Sequence, residues 1–206
     1  MIYSTRFIFI ICFSLFDLYT QAQSDWRTSL NQYRDSVNGS FANAETSILS
    51  EEDLKTFVAL EFYMPDSEFV ITASVKLLKK KKWFEMKTTT ERKPVYRPYA
   101  NLSFEYKGAK YSLTCYQSEQ LMNNPEYRDY LFLPFTDLSS GNESYGGGRY
   151  LDLRIGDIQE GKVILDFNYA YNPYCAYNHK YSCPIPPADN FLDADIEAGA
   201  KAYPAD

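Results

Sequence analysis

The sequence predicts a mostly β, α+β domain: an antiparallel β-barrel or sandwich of about eight strands with an N-terminal helical cap. Apolar residues recur at helical spacing near the N-terminus, but from Phe69 onward they alternate with polar residues. No helical stretch separates the predicted strands, so nothing would carry the crossovers of a parallel sheet. Aromatic residues make up 17% of the chain and include 19 tyrosines, a composition that favours sheets.

The N-terminus predicts an export signal at residues 1–22. Arg6 supplies a positive charge, and the apolar run FIFIICFSLF at residues 7–16 is too short to span a bilayer as a helix. Thr20 and Ala22 are small residues placed as a cleavage site requires, so the exported chain would begin at Gln23. We expect it in the periplasm or the medium; an uncleaved anchor is the alternative. No second long apolar run follows, so we predict no transmembrane segment in the mature chain.

We predict that residues 23–206 form a single β-rich domain. Its first part, about residues 24–60, would be a helical lead that precedes the strands. The first helix carries apolar residues at helical spacing: Trp26, Leu30, Tyr33 and Val37. It would end near Asn38, and a second short helix would begin at Ser50, where the run SEED has the pattern of a capping box. We expect the apolar face of the first helix to cover the sheet; a partner-binding arm is the alternative.

The remaining segments with period-two alternation or strand-like composition are predicted as strands. They are residues 69–77, 83–89, 102–106, 111–115, 130–135, 150–155, 163–167 and 192–198. The spacing predicts hairpins between the first and second, the third and fourth, and the sixth and seventh of these. The last hairpin would place Arg149, before one strand, beside Asn168, after the other.

A glycine-rich loop followed by an arginine is the main candidate ligand site. Glycines allow positive φ and a close approach of a ligand, and an arginine can clamp a carboxylate or phosphate with two hydrogen bonds. The loop is not a phosphate-binding P-loop, because no Lys-Ser/Thr pair follows it. Polar residues that a core does not require follow the seventh strand. The predicted ligand-binding residues are Tyr145, Gly146, Gly147, Gly148, Arg149, Asp166, Asn168 and Asn172. An ion pair of Arg149 with Asp166 or Asp152 is the rival interpretation.

A cysteine-rich segment offers a second kind of chemistry. Cys175, His179 and Cys183 have the spacing C-x3-H-x3-C. A disulfide between the two cysteines is the plainest interpretation in an exported chain, and it would add about 2.5 kcal/mol of stability. Zinc would need a fourth ligand, so we predict no metal site. A reactive Cys175 with His179 as its base, or two simply buried thiols, are the remaining alternatives. Cys115, on a predicted strand, should be buried.

Four runs of the C-terminal half resemble one family. They are YGGGRYLDL at residues 145–153, LDFN at 165–168, AYNPYCAY at 170–177 and YSCPIPPADN at 181–190. The chain is similar over nearly its whole mature length to the bacterial and archaeal family catalogued as domain of unknown function 1684. The resemblance implies one domain of this length, with no activity, cofactor or catalytic residue assigned. His179 lies outside the family pattern, which disfavours both the zinc and the thiolate interpretations.

Three functions stay open at this point. The net charge of −6 disfavours a nucleic-acid surface. We favour an exported binding module that holds a small polar or anionic ligand at the glycine–arginine loop. The alternatives are a hydrolase or transferase that uses Asp166, Arg149 and Cys175, and a purely structural or interaction domain. Catalytic residues, cofactor, ligand identity and oligomeric state are left open.

Overall fold

The computed structural model describes residues 4–79 and 82–203 of the chain, with side chains from Gln23 onward. The predicted export signal at residues 1–22 and its cleavage site therefore lie outside the described side chains. Within the part of the chain that is described, no helix is long and apolar enough to cross a membrane.

Two helices precede the first strand, as predicted. The helices are α1 (Ser4–Ala42), α2 (Glu51–Thr56) and α3 (Glu119–Met122). The strands are β1 (Val70–Leu77), β2 (Phe84–Glu85), β3 (Val95–Tyr106), β4 (Ala109–Ser118), β5 (Tyr130–Asp137), β6 (Arg149–Arg154), β7 (Lys162–Asp166) and β8 (Phe191–Leu192). Short 3-10 turns lie at Ser67–Phe69, Ile155–Asp157, Phe167–Tyr169, Tyr174–Ala176 and Ala188–Asn190. Ser50 caps α2 as predicted, because its hydroxyl accepts a hydrogen bond from the Asp53 N–H.

The strands form one sheet of eight, mostly antiparallel, that curls into a half-barrel. Its order is β6-β5-β4-β3-β1-β7, with β2 beside β3 and β8 beside β5. Only the β5–β8 pairing is parallel among the named strands. The predicted mostly β class with an N-terminal helical lead is confirmed.

The predicted hairpin between the first two strands is wrong, whereas the β3–β4 hairpin is confirmed. Strand β1 already has β3 on one side and β7 on the other, so neither edge is open to β2. Strand β2 pairs with β3 instead, through Phe84 opposite Tyr96. Residues 80 and 81, between β1 and β2, lie outside the described chain.

The predicted β6–β7 hairpin is also wrong. These two strands lie at opposite ends of the strand order, where β6 pairs with β5 and β7 with β1. The intervening residues instead close a tight turn of their own, in which Gln159 and Lys162 exchange two backbone hydrogen bonds of 2.9 Å. This turn starts β7 and makes no pair with β6. The turn residues therefore predicted correctly that the chain reverses here, but they did not indicate which strand β7 pairs with.

Of the predicted last strand, residues 192–198, only Leu192 lies in a regular strand, β8. The residues after it, 193–198, form no regular strand. The alternation of burial is real, since Leu192, Ile196 and Ala198 are each at most 1% exposed. The backbone carbonyls of Ile196 and Ala198 accept hydrogen bonds from the Arg149 side chain, which replaces strand pairing there.

Strand β5 shows that both faces of the sheet are covered. Leu131, Leu133 and Phe135 belong to the main core, whereas Tyr130 and Phe132 belong to a second cluster on the other face. The second cluster consists of Met86, Tyr96, Tyr116, Phe132 and Tyr150, with Tyr130 and Tyr171 packed against it. This outer aromatic face positions the candidate site.

The apolar face of α1 packs onto the domain, as predicted. Leu30 is fully buried, and Trp26 donates a hydrogen bond of 2.7 Å from its indole N–H to Asp166. The ring centroids of Tyr33 and Tyr169 lie 4.9 Å apart. These contacts hold α1 against Asp166, at the end of β7, and against Tyr169, which follows it.

Candidate functional site

The predicted ligand clamp, Arg149, is fully buried at the start of β6. One terminal nitrogen of its guanidinium donates to Asp137 Oδ2 at 2.5 Å and to the carbonyl oxygen of Ile196 at 2.8 Å. The other donates to the carbonyl oxygens of Ala198 and Ala200. The guanidinium thus ties β5, β6 and the C-terminal segment together, and it has no surface open to a ligand.

Asp137, which the sequence did not single out, completes this buried network. Its side chain is 0% exposed, and its Oδ1 accepts hydrogen bonds from the N–H and hydroxyl of Ser139 at 2.7 and 2.5 Å. The Ser139 hydroxyl lies 2.9 Å from that of Ser144. The predicted ion pairs of Arg149 with Asp152 or Asp166 are wrong, because Asp137 takes this place. The alternation of residues along β5 could have placed Asp137 on the core face. That Arg149 is the partner of Asp137 depends on the register between β5 and β6, which the sequence does not give.

The glycine run has mainly a backbone role. Gly148 has a φ of +84°, and a Cβ there would lie 2.5 Å from the carbonyl oxygen of Phe135. Gly146 has ordinary φ and room for a Cβ. Gly147 lies against the ring of Tyr145.

The predicted polar residues after β7 divide into two groups. Asn168 is fully buried and bonds through its amide to the backbone of Asp66 and to Asp166. Asp166 is thereby engaged with Asn168 and with the indole of Trp26. Asn172 is 2% exposed; its amide nitrogen donates to the Lys201 carbonyl, but its Oδ1 accepts no hydrogen bond.

The two predicted segments do meet, although by a route other than a hairpin. Tyr150, directly after Arg149, and Tyr171 exchange two backbone hydrogen bonds of 2.9 and 3.1 Å. The chain after β7 therefore returns across the curled sheet to β6. This return places the tyrosines of both segments side by side, with ring centroids 5.8 Å apart.

An open cleft of about 450 Å³ lies beside these tyrosines, on the outer aromatic face of the sheet and against α1. We call it the aromatic cleft. Its lining residues are Tyr33, Val37, Ser40, Phe41, Leu60, Phe62, Tyr96, Leu121, Tyr130, Phe132, Tyr150, Asp152, Tyr171, Asn172, Pro173, Tyr174, Tyr177, Cys183, Pro184 and Ala200. Of the predicted ligand-binding residues, it includes only Asn172.

Asp152 supplies the single charged side chain among these lining residues. It lies opposite Phe132 in the β5–β6 pairing, and its Oδ1 accepts hydrogen bonds of 2.6 Å from the hydroxyls of Tyr130 and Tyr171. Burial, and after it the Asp152 charge, raises the pKa of Tyr33 to about 12. The same two causes raise the pKa of Tyr130 well above its ordinary value, so both phenols stay neutral at physiological pH.

The cysteines lie next to the cleft and are not linked to each other. Cys175 and Cys183 are buried, and the Cys175 N–H donates to the Cys183 sulfur at 3.2 Å. A hydrogen bond from the Cys183 thiol, followed by one from the Tyr145 hydroxyl, lowers the pKa of Cys175 despite its burial. His179 is exposed, and no group of three His, Cys, Asp or Glu residues in the described ranges could hold a metal ion. Cys115 is buried, as predicted.

Sequence reasoning did not find the cleft, although a signal for it exists. Residues 130–135 of β5, YLFLPF, are apolar or aromatic at successive positions, a pattern typical of a strand covered on both faces. The sequence could therefore have shown that β5 has a second buried face. It could not show that α1 leaves part of that face open.

Comparison with known proteins places the chain in a family. The family model described as "Protein of unknown function (DUF1684)" matches residues 55–201. The solution NMR structure of an uncharacterized protein of Haloarcula marismortui is 32% identical, with 88% of this chain and 96% of that chain covered and a TM-score of 0.66. No curated protein matches the chain. The chain therefore belongs to the DUF1684 family, as its Tyr-Gly-rich and Cys-containing runs predicted.

Proposed function

We propose that the protein is a binding module that holds a small ligand in the aromatic cleft. The observation that carries this proposal is the cleft itself, a preformed opening of about 450 Å³ with many aromatic rings and few polar groups. Small-molecule sites typically occupy roughly 300–1,000 Å³ and have this composition. The expected polar or anionic ligand at the glycine–arginine loop is less well supported, because Arg149 is fully buried and both terminal nitrogens of its guanidinium donate to protein groups.

The walls of the cleft are pre-organised for binding. The rings of Phe132 and Tyr150 meet edge to face at 4.7 Å, and that of Tyr150 meets Tyr171 in the same way. The hydroxyls of Tyr130 and Tyr171 are fixed on Asp152, and that of Tyr150 donates to the carbonyl of Pro184. A ligand would therefore order few side chains on binding, which reduces the entropic cost.

The hydrolase or transferase alternative has less support. Arg149 and Asp166, which it would use, are engaged with Asp137 and Trp26. Cys175 is buried, and His179 is exposed.

Binding in the cleft is tested with N-phenyl-1-naphthylamine, a neutral aromatic dye that brightens in apolar sites. We expect one saturable site. Ser40→Trp, on the α1 side of the cleft, should weaken dye binding at least about tenfold, because the added ring would fill the opening. Fluorescence titration measures this.

The matched control is Ser36→Trp, one helical turn earlier. Ser36 is also an exposed serine of α1, but it does not line the cleft. It should leave the dye affinity unchanged, and thermal melts should show both variants folded. Equal affinities for the two variants, or no saturable binding to the wild type, would contradict the proposal.

We also propose that the chain is exported and cleaved after Ala22. Cys175 and Cys183 would then form a disulfide. Cleavage there would keep Trp26 and Leu30, which anchor α1 to the domain. The two thiols are already within hydrogen-bond reach of each other. A bridge between them should stabilise the fold by about 2.5 kcal/mol, and this gain should disappear on reduction.

Intact mass spectrometry of the protein from the periplasm or the medium, with and without alkylation, tests both points. We expect a chain that begins at Gln23 and takes up alkylating agent on Cys175 and Cys183 only after unfolding and reduction. Recovery of an uncleaved chain from the cytoplasm would exclude export. Alkylation of both thiols after unfolding without a reductant would exclude the bridge.

A further inference from the structure

We propose that the ligand of the aromatic cleft is a small organic cation, of the quaternary ammonium or alkylated amine class. This inference rests on the proposed function. The geometry points to a cation because the cleft combines aromatic faces with an acceptor carboxylate and, among its described lining residues, offers no basic side chain. Lys, Arg and His are all absent from that lining.

The charge in the cleft is negative, and no described basic residue forms a salt bridge with it. Asp152 takes part in none of the salt bridges formed by the described residues. Arg154, two residues later in the sequence, is close enough for its charge to interact with that of Asp152, but its salt bridge is with Asp129 at 2.7 Å. The Oδ1 of Asp152 accepts the two tyrosine hydroxyls, whereas its Oδ2 accepts no hydrogen bond from the described residues. One face of this carboxylate is therefore available to a cation.

The aromatic rings add attraction for the same charge. Ten lining residues are Tyr or Phe, and the face of an aromatic ring attracts a cation within about 6 Å. Phe62 already receives a cation in this way, because the Arg34 guanidinium lies 4.7 Å from its ring centroid. Arg34 does not line the cleft, and the carboxylate whose charge acts on it is that of Asp166.

The other polar groups of the cleft do not favour an anion. The phenols of Tyr33 and Tyr130 have raised pKa values and stay neutral, so they add no charge to the cleft. An anionic ligand would be repelled by Asp152 and would find no basic side chain in the lining to attract it.

The test compares two probes of nearly the same shape that differ in charge. Phenyltrimethylammonium is a cation, and tert-butylbenzene is its neutral counterpart with carbon in place of nitrogen. Each is used to displace N-phenyl-1-naphthylamine from the full protein. We expect the cation to displace the dye at a concentration about tenfold lower than the neutral probe.

Asp152→Asn should reduce this preference for the cation at least about fivefold, since the side chain keeps its shape but loses its charge. Asp35→Asn is the matched control, because Asp35 is an exposed carboxylate of α1 that does not line the cleft. It should leave the preference unchanged.

The outcomes separate this inference from the proposed function. If the neutral probe displaces the dye as well as the cation does, the cleft binds ligands but the cation inference is overturned. The same conclusion follows if Asp152→Asn leaves the preference intact. If neither the dye nor the cation binds, by fluorescence and by calorimetry, the proposed function fails and the inference fails with it.

Discussion

Replacement of Arg149 by methionine is expected to lower the free energy of unfolding by about 4 kcal/mol. Methionine keeps much of the apolar stem but leaves the Asp137 carboxylate buried without its cation. It also removes the donor to the carbonyl oxygens of Ile196 and Ala198. Buried groups that lose their partners carry the full cost of leaving water. Urea denaturation followed by tryptophan fluorescence measures the change.

The matched control is Arg154→Met, at the other end of β6. Arg154 also pairs with a carboxylate, Asp129, at 2.7 Å, but the two side chains are 39% and 45% exposed. Water screens such a pair, so its loss should destabilise the fold far less than the loss of Arg149 does. A similarly small loss for Arg149→Met would contradict the scaffold role and reopen Arg149 as a ligand residue.

A double variant sharpens the interpretation. Arg149→Met combined with Asp137→Leu removes both charges from a site where both side chains are fully buried. It should be more stable than Arg149→Met alone, because an unpaired buried charge costs more than an apolar pair of similar volume. Greater instability of the double variant would indicate that packing, rather than charge, accounts for the loss.

Gly199→Ala is expected to cost about 3 kcal/mol of stability. Gly199 has a φ of +78°, and a Cβ there would lie 2.4 Å from the carbonyl oxygen of Ala170 and 2.8 Å from that of Phe167. The backbone cannot easily give way, because the Ala170 carbonyl accepts a hydrogen bond from Ala200 and Gly199 accepts one from Tyr63. Chemical denaturation measures the loss.

Gly108→Ala in the β3–β4 turn separates conformational strain from steric overlap. Gly108 has the same φ of +78°, but a Cβ there would meet nothing within 4 Å. Its substitution should lower the free energy of unfolding by about 1 kcal/mol, which is the cost of a left-handed backbone at a residue that has a Cβ. Equal losses at the two glycines would show that the contact with Ala170 and Phe167 relaxes and carries no cost.

Local patterns in the sequence predicted the elements well. The alternation in residues 69–77 and 163–167 predicted β1 and β7 closely, and the helical spacing from Trp26 to Val37 predicted the packed face of α1. Such patterns succeed because burial of one face imposes a period on the side chains themselves. Pairing was less predictable: β2 lies beside β3 rather than β1, and β6 lies beside β5 rather than β7.

The candidate site shows the same division. The sequence singled out the segments around Arg149 and Asn172, and the structure brings these segments together through Tyr150 and Tyr171. It could not reveal that Asp137 neutralises Arg149, since that contact depends on Phe135 lying opposite Arg149 across the sheet. Asp152 likewise gained its significance only from the neighbouring hydroxyls of Tyr130 and Tyr171.

By itself, the sequence determined the family, the β class, the helical lead and the residues that face inward along most strands. These features depend on neighbours in the chain, whose spacing is set by covalent geometry. Only the tertiary structure decided the strand order, the partner of Arg149 and the open cleft between α1 and the outer aromatic face. Backbone hydrogen bonds are alike for every pair of strands, so the curl and register of the whole sheet select which side chains meet.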